Sequence, residues 1–184
     1  MSAVTVILST YNQPRWLENV LWGYACQSER DFELLIADDG SGPETRAVIE
    51  AARTSGLALR HLWHPDQGYR RQPLLNRALC EARSPYLIFS DGDCIPRADF
   101  IATHLALRRP GQFLSGGYCK LALPASERIE QGDIGNGRCF DPDWLRAADA
   151  RLSVSSRRKL ALGRLAPAAM DALTPTRASF NNCN

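Results

Sequence analysis

Several absences narrow the 184-residue sequence before any motif is considered. No apolar run approaches the roughly 18 residues of a membrane span. The start, Met1-Ser2-Ala3-Val4, has neither the basic residues nor the long apolar core of a secretory signal. A cytoplasmic protein is therefore expected, at most resting on the inner face of the cell membrane. Charge of one sign is not in excess: 22 Lys+Arg stand against 20 Asp+Glu, for a formal net charge of +2. That balance lacks the electrostatic footprint of a nucleic-acid binder, and no nucleic acid is expected as partner. The six cysteines include no C-x-x-C pair, which argues against a zinc site or a disulfide framework and leaves them as small apolar residues. No G-x-G-x-x-G follows the first apolar run, so a nicotinamide-dinucleotide fold is disfavoured. Internal repeats, low-complexity tracts and linkers are also missing.

What is present is an ordinary globular composition, 45% apolar and 23% charged. A chain this long can bury roughly 70% of the surface its unfolded form exposes, enough to fold without a staple. Its first 120 residues alternate between two periods. Val4 to Ser9 is a β-branched run suited to a buried strand, followed by a turn at Tyr11-Asn12-Gln13-Pro14. Leu17, Val20, Leu21 and Tyr24 then mark one face of a helix. Phe32 to Ala37 predicts a second strand, closed by Asp38-Asp39-Gly40-Ser41. Ser41 and Glu44 have capping-box spacing for a helix lined by Val48, Ile49 and Ala52 and ended by Gly56. The unit repeats with a strand in Leu57 to His64 and a helix from Pro73 to Ala82, with Leu74, Leu75, Ala78 and Leu79 on its apolar side. Next come a strand at Tyr86 to Phe89, a helix from about Asp99 to Arg108 and a strand through Gln112 to Ser115. Such alternation implies an α/β fold with a mostly parallel sheet flanked by helices.

After Lys120 the texture changes. Residues 141 to 173 read as helical, and Arg151, Arg157, Arg158, Lys159 and Arg164 fall in a stretch without an acid. A solvated helix face explains such a run, and so does a peripheral contact of residues 151–164 with anionic lipid head groups. The expected organisation is an α/β core over residues 1–120, followed by a helical excursion that fills 121–184.

In an open parallel sheet the ligand sits beyond the carboxyl ends of the strands. Three strand ends therefore carry the chemistry: Ser9 to Asn12, Asp38-Asp39, and Asp91-Gly92-Asp93. A D-x-D pattern alone is cheap; with 12 aspartates in the chain, roughly one arises by chance. Asp141-Pro142-Asp143 is such a second instance and reads as a turn and helix cap. Asp91 and Asp93 differ because they follow an apolar strand, so both carboxylates emerge at the ligand edge. Their repulsion calls for a cation, Mg²⁺ or Mn²⁺, bridging to diphosphate oxygens. One of the two carboxylates of Asp38-Asp39 can accept hydrogen bonds from a nucleoside, although turn chemistry alone also explains the tetrapeptide. Arg70 and Arg71, near the start of the helix bearing Asn76, can hold a diphosphate or simply be a basic loop. His61, His64 and His104 lack metal-ligand spacing.

Four segments in order resemble the family 2 glycosyltransferases of the GT-A fold: Val4 to Asn12, Phe32 to Ser41, Asn76-Arg77-Ala78-Leu79, and Tyr86 to Asp93. His64-x-Asp66-x-Gly68-Tyr69-Arg70 and Phe100-Ile101-x-x-His104 resemble the bacterial members that build surface polysaccharide or lipooligosaccharide. The resemblance implies a Rossmann-like sheet and inverting transfer of a hexosyl or N-acetylhexosaminyl group. The donor would be a nucleotide-diphosphate sugar, most often a UDP sugar, and the acceptor a glycan or lipid-linked glycan. It implies Ser9, Tyr11, Asn12, Asp39, Arg70, Arg71, Asn76 and Asp91 as donor-binding residues, with Asp91 and Asp93 holding Mn²⁺ or Mg²⁺. Gly116 to Lys120 looks like the family's following strand and its basic end.

The family takes its general base from a later Glu-Asp pair before a helix. No carboxylate after Asp93 stands in such a pair, and Ser179 to Asn184 looks like the lead-in to the strand before that segment. The catalytic base is thus left unassigned, and the expectation is a chain that stops ahead of it. The alternative is a truncated donor-binding module with little or no turnover. A haloacid-dehalogenase-type phosphatase also places D-x-D after a strand, but Cys94 and Ile95 stand where Thr or Val would follow.

Overall fold

Seven consecutive residues of the first apolar run, Val4–Thr10, form β1, and all seven are buried. A strand hidden on both faces must be central, and in the computed structural model, which describes residues 2–148 together with 150, 152, 153 and 160, it is. β2 (Phe32–Asp38), β3 (Leu59–Trp63) and β4 (Tyr86–Asp91) complete a four-stranded sheet in the order β3-β2-β1-β4, with every pairing parallel. The helices between them are α1 (Pro14–Ala25), α2 (Pro43–Thr54), α3 (Arg71–Glu81) and, after β4, α4 (Phe100–Leu107).

Alternation along the strands splits the core in two. Val4, Val6, Leu8, Leu34, Ile36 and Ile88 pack on Leu17, Val20, Leu21 and Tyr24 of α1, Ile49 of α2 and Ile101 of α4. On the other face Ile7, Leu35, Ala37 and Leu62 meet Leu74, Leu75 and Ala78 of α3. Leu79, expected on that apolar side, is instead 47% exposed, since the contact with the sheet is no wider than the stripe Leu74-Leu75-Ala78. β1 to β2 to β3 progresses in one direction, and the chain then returns to the far side of β1 for β4. The loops leaving β1 and β4 consequently diverge and leave a crevice between them.

Two local expectations are corrected. α2 is capped at Gly42, with Pro43 in the first turn, so Ser41 lies one residue too early to cap. Its hydroxyl accepts the Asn12 N–H at 2.8 Å instead, while Gly42 N–H donates to Asn12 Oδ1 at 2.9 Å. The exchange stitches the loop after β1 to the loop after β2. The C-terminal end of α2 behaves as its sequence requires: Gly56 is left-handed at φ +98°, and Leu57 N–H reaches Ala52 O at 3.2 Å.

The second correction concerns residues 112–115, which form no strand. Pro110 and a left-handed Gly111 precede them and Gly116-Gly117 follow, leaving too few residues between breakers for a ladder. Gln112, Phe113 and Leu114 nevertheless lie beside β4, closing a cavity of about 230 Å³ with Tyr86 to Phe89 and His104. Beyond it, α5 (Leu123–Glu127), α6 (Gln131–Gly135), a 3-10 turn (Arg138–Phe140) and α7 (Pro142–Ala147) follow. As expected, Asp141 caps α7, accepting the N–H of Asp143 and Trp144. The remainder of the expected 141–173 helix and the basic 151–164 stretch fall almost wholly outside the described residues, and Ser179 to Asn184 entirely so. No described helix is long and apolar enough to cross a membrane.

His104 of α4 is buried, its ring edge-on to Phe100 at 4.8 Å and its Nδ1 in hydrogen-bond contact with the Tyr86 hydroxyl at 3.1 Å. Burial lowers its pKa from 6.5 to about 4. The unfolded chain therefore binds this proton first as pH falls. Stability is expected to drop by about 3 kcal/mol between pH 6.5 and 4, with the full contribution present above 6.5. Urea denaturation at pH 7.5 and 4.5 should show this loss in the parent and a flatter profile in His104→Leu; equal slopes would rule His104 out.

Gly40, after β2, sits at φ +95°, and a Cβ there would lie 2.6 Å from Asp66 Cα. Gly40→Ala is expected to cost about 2 kcal/mol or more from left-handed strain plus displacement of the loop at Asp66. A denaturation midpoint equal to the parent's would refute that.

Candidate functional site

Period two decides which side chains reach the crevice. Ile7 on β1 faces α3, and so does Ser9 two residues later; Phe89 and Asp91 share that face on β4. On β2, Leu35 and Ala37 set the same face, and Asp39 lines the crevice just beyond the strand end. Asp38 is thereby turned to the opposite side, where His61 Nε2 lies 2.9 Å from its Oδ2 and Ser41 N–H donates to its Oδ1 at 2.8 Å. Burial pushes the Asp38 pKa up, but the hydrogen bonds from His61 and Ser41 outweigh it and hold the carboxyl below its ordinary value. Of the adjacent pair, Asp39 is the one that faces the cavity.

The crevice is a cavity of about 580 Å³ lined by Ser9, Thr10, Tyr11, Gln13, Asp39, Tyr69, Arg71 and Asp91 to Asp93, with Leu74 and Leu75 of α3 at its apolar wall. Ser9 and Asp91 are register partners across β1 and β4, and the Ser9 hydroxyl donates to Asp91 Oδ1 at 2.6 Å. Arg71, the first residue of α3, forms an ion pair with the same oxygen and donates to Ser9 Oγ at 2.9 Å. Asp39 accepts from His64 Nε2 and from Arg70 N–H, each at 3.0 Å and each on a different oxygen.

β4 ends at Asp91, and the chain turns sharply there. Gly92 N–H donates to Ser9 O at 2.7 Å and Cys94 N–H to Asp91 O at 3.1 Å. Glycine relieves crowding at 92, where a Cβ would lie 3.0 Å from Thr10 Oγ1 and 3.1 Å from Ser9 O. The turn carries Asp93 out to an exposed position. Among the described residues one group could surround a cation: a carboxylate oxygen of Asp91, one of Asp93 and Cys94 Sγ lie within 4.8 Å of one another. Thr10 Oγ1, packed against this turn, is buried with no hydrogen-bond partner among the described residues. Two carboxylates this close together fit a hard divalent cation.

The other expected site residues are placed as follows. Tyr11 stands on the rim, 48% exposed, and its hydroxyl donates to Asp66 Oδ2 at 2.9 Å, a bond that raises the Tyr11 pKa. Asp66 is held below the usual carboxylate range by Gly68 N–H first and by Tyr11 second. Asn12 is left-handed at φ +48° and engaged with Ser41 and Gly42, outside the cavity lining. Arg70 contributes its backbone N–H while its side chain is exposed, and Asn76 is exposed on α3, away from the lining.

Sequence reasoning overlooked Thr10, Gln13 and Tyr69 in the lining, and the partnership of His61 and His64 with the paired aspartates. Histidine after two aspartates at the next strand's end was the available signal for the partnership. Of the described carboxylates after Asp93, none lines the cavity. Asp99 pairs with Arg97, Glu127 with Arg15, Asp133 with Arg138 and Asp143 with Arg146, while Glu130 and Asp141 cap helices.

This geometry has counterparts among known proteins. Validoxylamine A glucosyltransferase of Streptomyces hygroscopicus is 30% identical over 105 residues, 56% of this chain and 25% of that protein. A Campylobacter jejuni β-1,3-glucosyltransferase named for GalNAc(5)-diNAcBac-PP-undecaprenol is 25% identical over 95 residues, 50% of this chain and 30% of its own. The chain thus spans between a quarter and a third of the length of these relatives. In structure it is similar to the mannosyltransferase PcManGT from Pyrobaculum calidifontis in complex with GDP-Man and Mn²⁺, with TM-score 0.52 and 28% identity over 59% of this chain and 33% of that one. S. aureus TarS 1-349 in complex with UDP-GlcNAc gives TM-score 0.52 and 27% identity over 58% of this chain and 30% of that one. The profile of Glycosyl transferase family 2 matches residues 5–107, more than half of the chain, and with the parallel sheet and its crevice this makes the protein a member of that family.

Proposed function

We propose that the chain binds a nucleoside-diphosphate sugar, with a UDP sugar as the reading favoured, and transfers the sugar with inversion to a hydroxyl of a glycan or lipid-linked glycan. The observation that carries it is the convergence of Ser9, Asp39, Arg71, Asp91 and Asp93 on one cavity at the carboxyl edge of the sheet. A TarS structure holding UDP-GlcNAc supports the nucleotide, and the undecaprenol-linked substrate in the Campylobacter relative's name supports the acceptor class and a place in surface polysaccharide or lipooligosaccharide assembly.

In this reading Asp39 accepts an N–H of the base, Tyr11 and Asn12 border the base pocket, and Ser9 and Asp91 face the ribose. Arg71 lies on the diphosphate side, while Arg70 and Asn76, outside the cavity lining, would reach the donor only beyond its rim. Asp93, with Asp91, would hold the divalent cation. The bound ion would offset the negative charge that collects on the diphosphate as the bond from sugar C1 to its phosphate oxygen breaks. The residues themselves position the donor: Arg71 is pre-oriented by Ser9 and Asp91, so little side-chain freedom is lost when an anion arrives. Residues 1–120 form the donor half. Residues 121–184 begin the acceptor side, and the basic 151–164 stretch supplies a peripheral contact with anionic lipid.

The engagement of the described later carboxylates in caps and ion pairs favours a second reading, a module that binds donor with little transfer. Calorimetry with UDP and Mn²⁺ beside a sugar-transfer assay separates the two: binding with transfer supports the enzyme, binding alone the module, and no binding of any nucleotide overturns both. Asp93→Asn is expected to weaken Mn²⁺-dependent UDP binding by about tenfold or more while leaving the denaturation midpoint unchanged, since Asp93 is exposed and one lost charge–metal contact is worth at least that factor. An unchanged Mn²⁺-dependent affinity would remove Asp93 from the metal site.

A further inference from the structure

The loop joining β3 to α3 begins and ends on one carboxylate. His64 directly follows the last residue of β3, and its Nε2 lies 3.0 Å from Asp39 Oδ1. Arg70 directly precedes α3, and its backbone N–H meets Asp39 Oδ2 at 3.0 Å. The second ring nitrogen of His64, Nδ1, lies 2.8 Å from Pro65 O, so the ring plane is set by the loop itself. Between the two anchors, Asp66 accepts Gly68 N–H and the Tyr11 hydroxyl, both at 2.9 Å. Asp39 lines the cavity; His64 does not.

A carboxylate offers about four acceptor positions, and the torsion that orients it is soft. One donor would leave the group free to swing. Two donors on different oxygens fix its plane and leave its remaining acceptor positions at set angles. A ligand N–H then meets an acceptor that needs no reorganisation on binding.

We infer that His64 is a positioning residue for base recognition: it holds the Asp39 carboxylate in the plane that a nucleobase N–H requires, without touching the nucleotide. The inference rests on the nucleotide reading above. It predicts a selective effect, because the contact being set is with the base and not with the diphosphate or the cation.

Glutamine and asparagine divide the roles of the two ring nitrogens. Gln places an amide N–H near the position of His Nε2, whereas the shorter Asn substitutes for Nδ1 and falls short of Asp39. Titration of the full chain with UDP, and separately with pyrophosphate, both in Mn²⁺, reads the base and anion terms apart. His64→Asn is expected to weaken UDP binding about tenfold or more, the value of one hydrogen bond to a charged group, with pyrophosphate affinity unchanged. His64→Gln should stay within a few-fold of the parent for both ligands. Equal UDP affinity in the Asn and Gln variants, or a parallel loss for pyrophosphate, overturns the inference and makes His64 a general support of the loop. A parent that binds pyrophosphate but not UDP overturns the nucleotide reading, and this inference with it.

Discussion

Three carboxylates, Asp39, Asp91 and Asp93, share one crevice, and their mutual repulsion in a medium less polar than water must be offset before anything else can be built there. Each is handled differently. Asp91 is neutralised within the protein by Arg71 and Ser9. Asp39 receives two donors from the loop that ends β3. Asp93 is carried outward by the turn at Gly92. The arrangement of α3 follows from this requirement, because its first residue is the arginine that meets Asp91 while its next turn buries Leu74 and Leu75 against the sheet. Anchoring a helix by charge at its first residue and by apolar packing one turn later leaves it little freedom to shift.

The loops at this edge support one another as much as the sheet supports them. Asn12 donates its N–H to Ser41 and accepts the Gly42 N–H, joining the loops after β1 and β2; Tyr11 reaches Asp66 in the loop after β3, and Gly40 packs against the backbone of that same residue. A chain of contacts therefore runs from the end of β1 through the loops after β2 and β3 to the start of α3 and back to Asp91. Such closure lets side chains on flexible connections hold a fixed geometry, as differential binding of a charged ligand requires.

The fold was largely legible because β1 and most of β2 are apolar on both faces and the helices carry period-3.6 stripes, signals that survive without tertiary knowledge. Leu17, Val20, Leu21 and Tyr24 all face the core as their spacing says. Expectation failed where tertiary context overrode local pattern. Ser41 has capping spacing, yet Pro43 moves the helix start and Asn12, 29 residues away, claims the hydroxyl. Residues 112–115 are apolar enough for a strand but are bracketed by Pro110-Gly111 and Gly116-Gly117. In the site, Ser9, Asp39, Arg71, Asp91 and Asp93 could be picked out at strand and helix ends. Tyr69 could not, because its place depends on which loops meet, and the two histidine–aspartate pairs left only the weak signal of histidines at the next strand. The choice between Asp38 and Asp39, by contrast, was open to alternation alone: counting in twos from Leu35 assigns Asp39 to the α3 face.

The spacing of Asp91 and Asp93 has its own physical logic. Had β4 continued, two residues on would again be the α3 face, and both carboxylates would compete for Arg71. The strand instead ends at Asp91, and Gly92 turns closely against Ser9 and Thr10 of β1, where a Cβ would be crowded. The turn separates the two acids into an inner one that carries its own counter-ion and an outer one whose charge faces solvent. In the proposed reading an incoming cation would compete with Arg71 at Asp91, whereas no ion pair among the described residues engages the exposed Asp93. The outer carboxylate would then be the stronger metal ligand of the pair, and the inner one would serve the organic part of the donor. That proposed division needs no later residue, in keeping with a cavity that none of the described carboxylates after Asp93 lines.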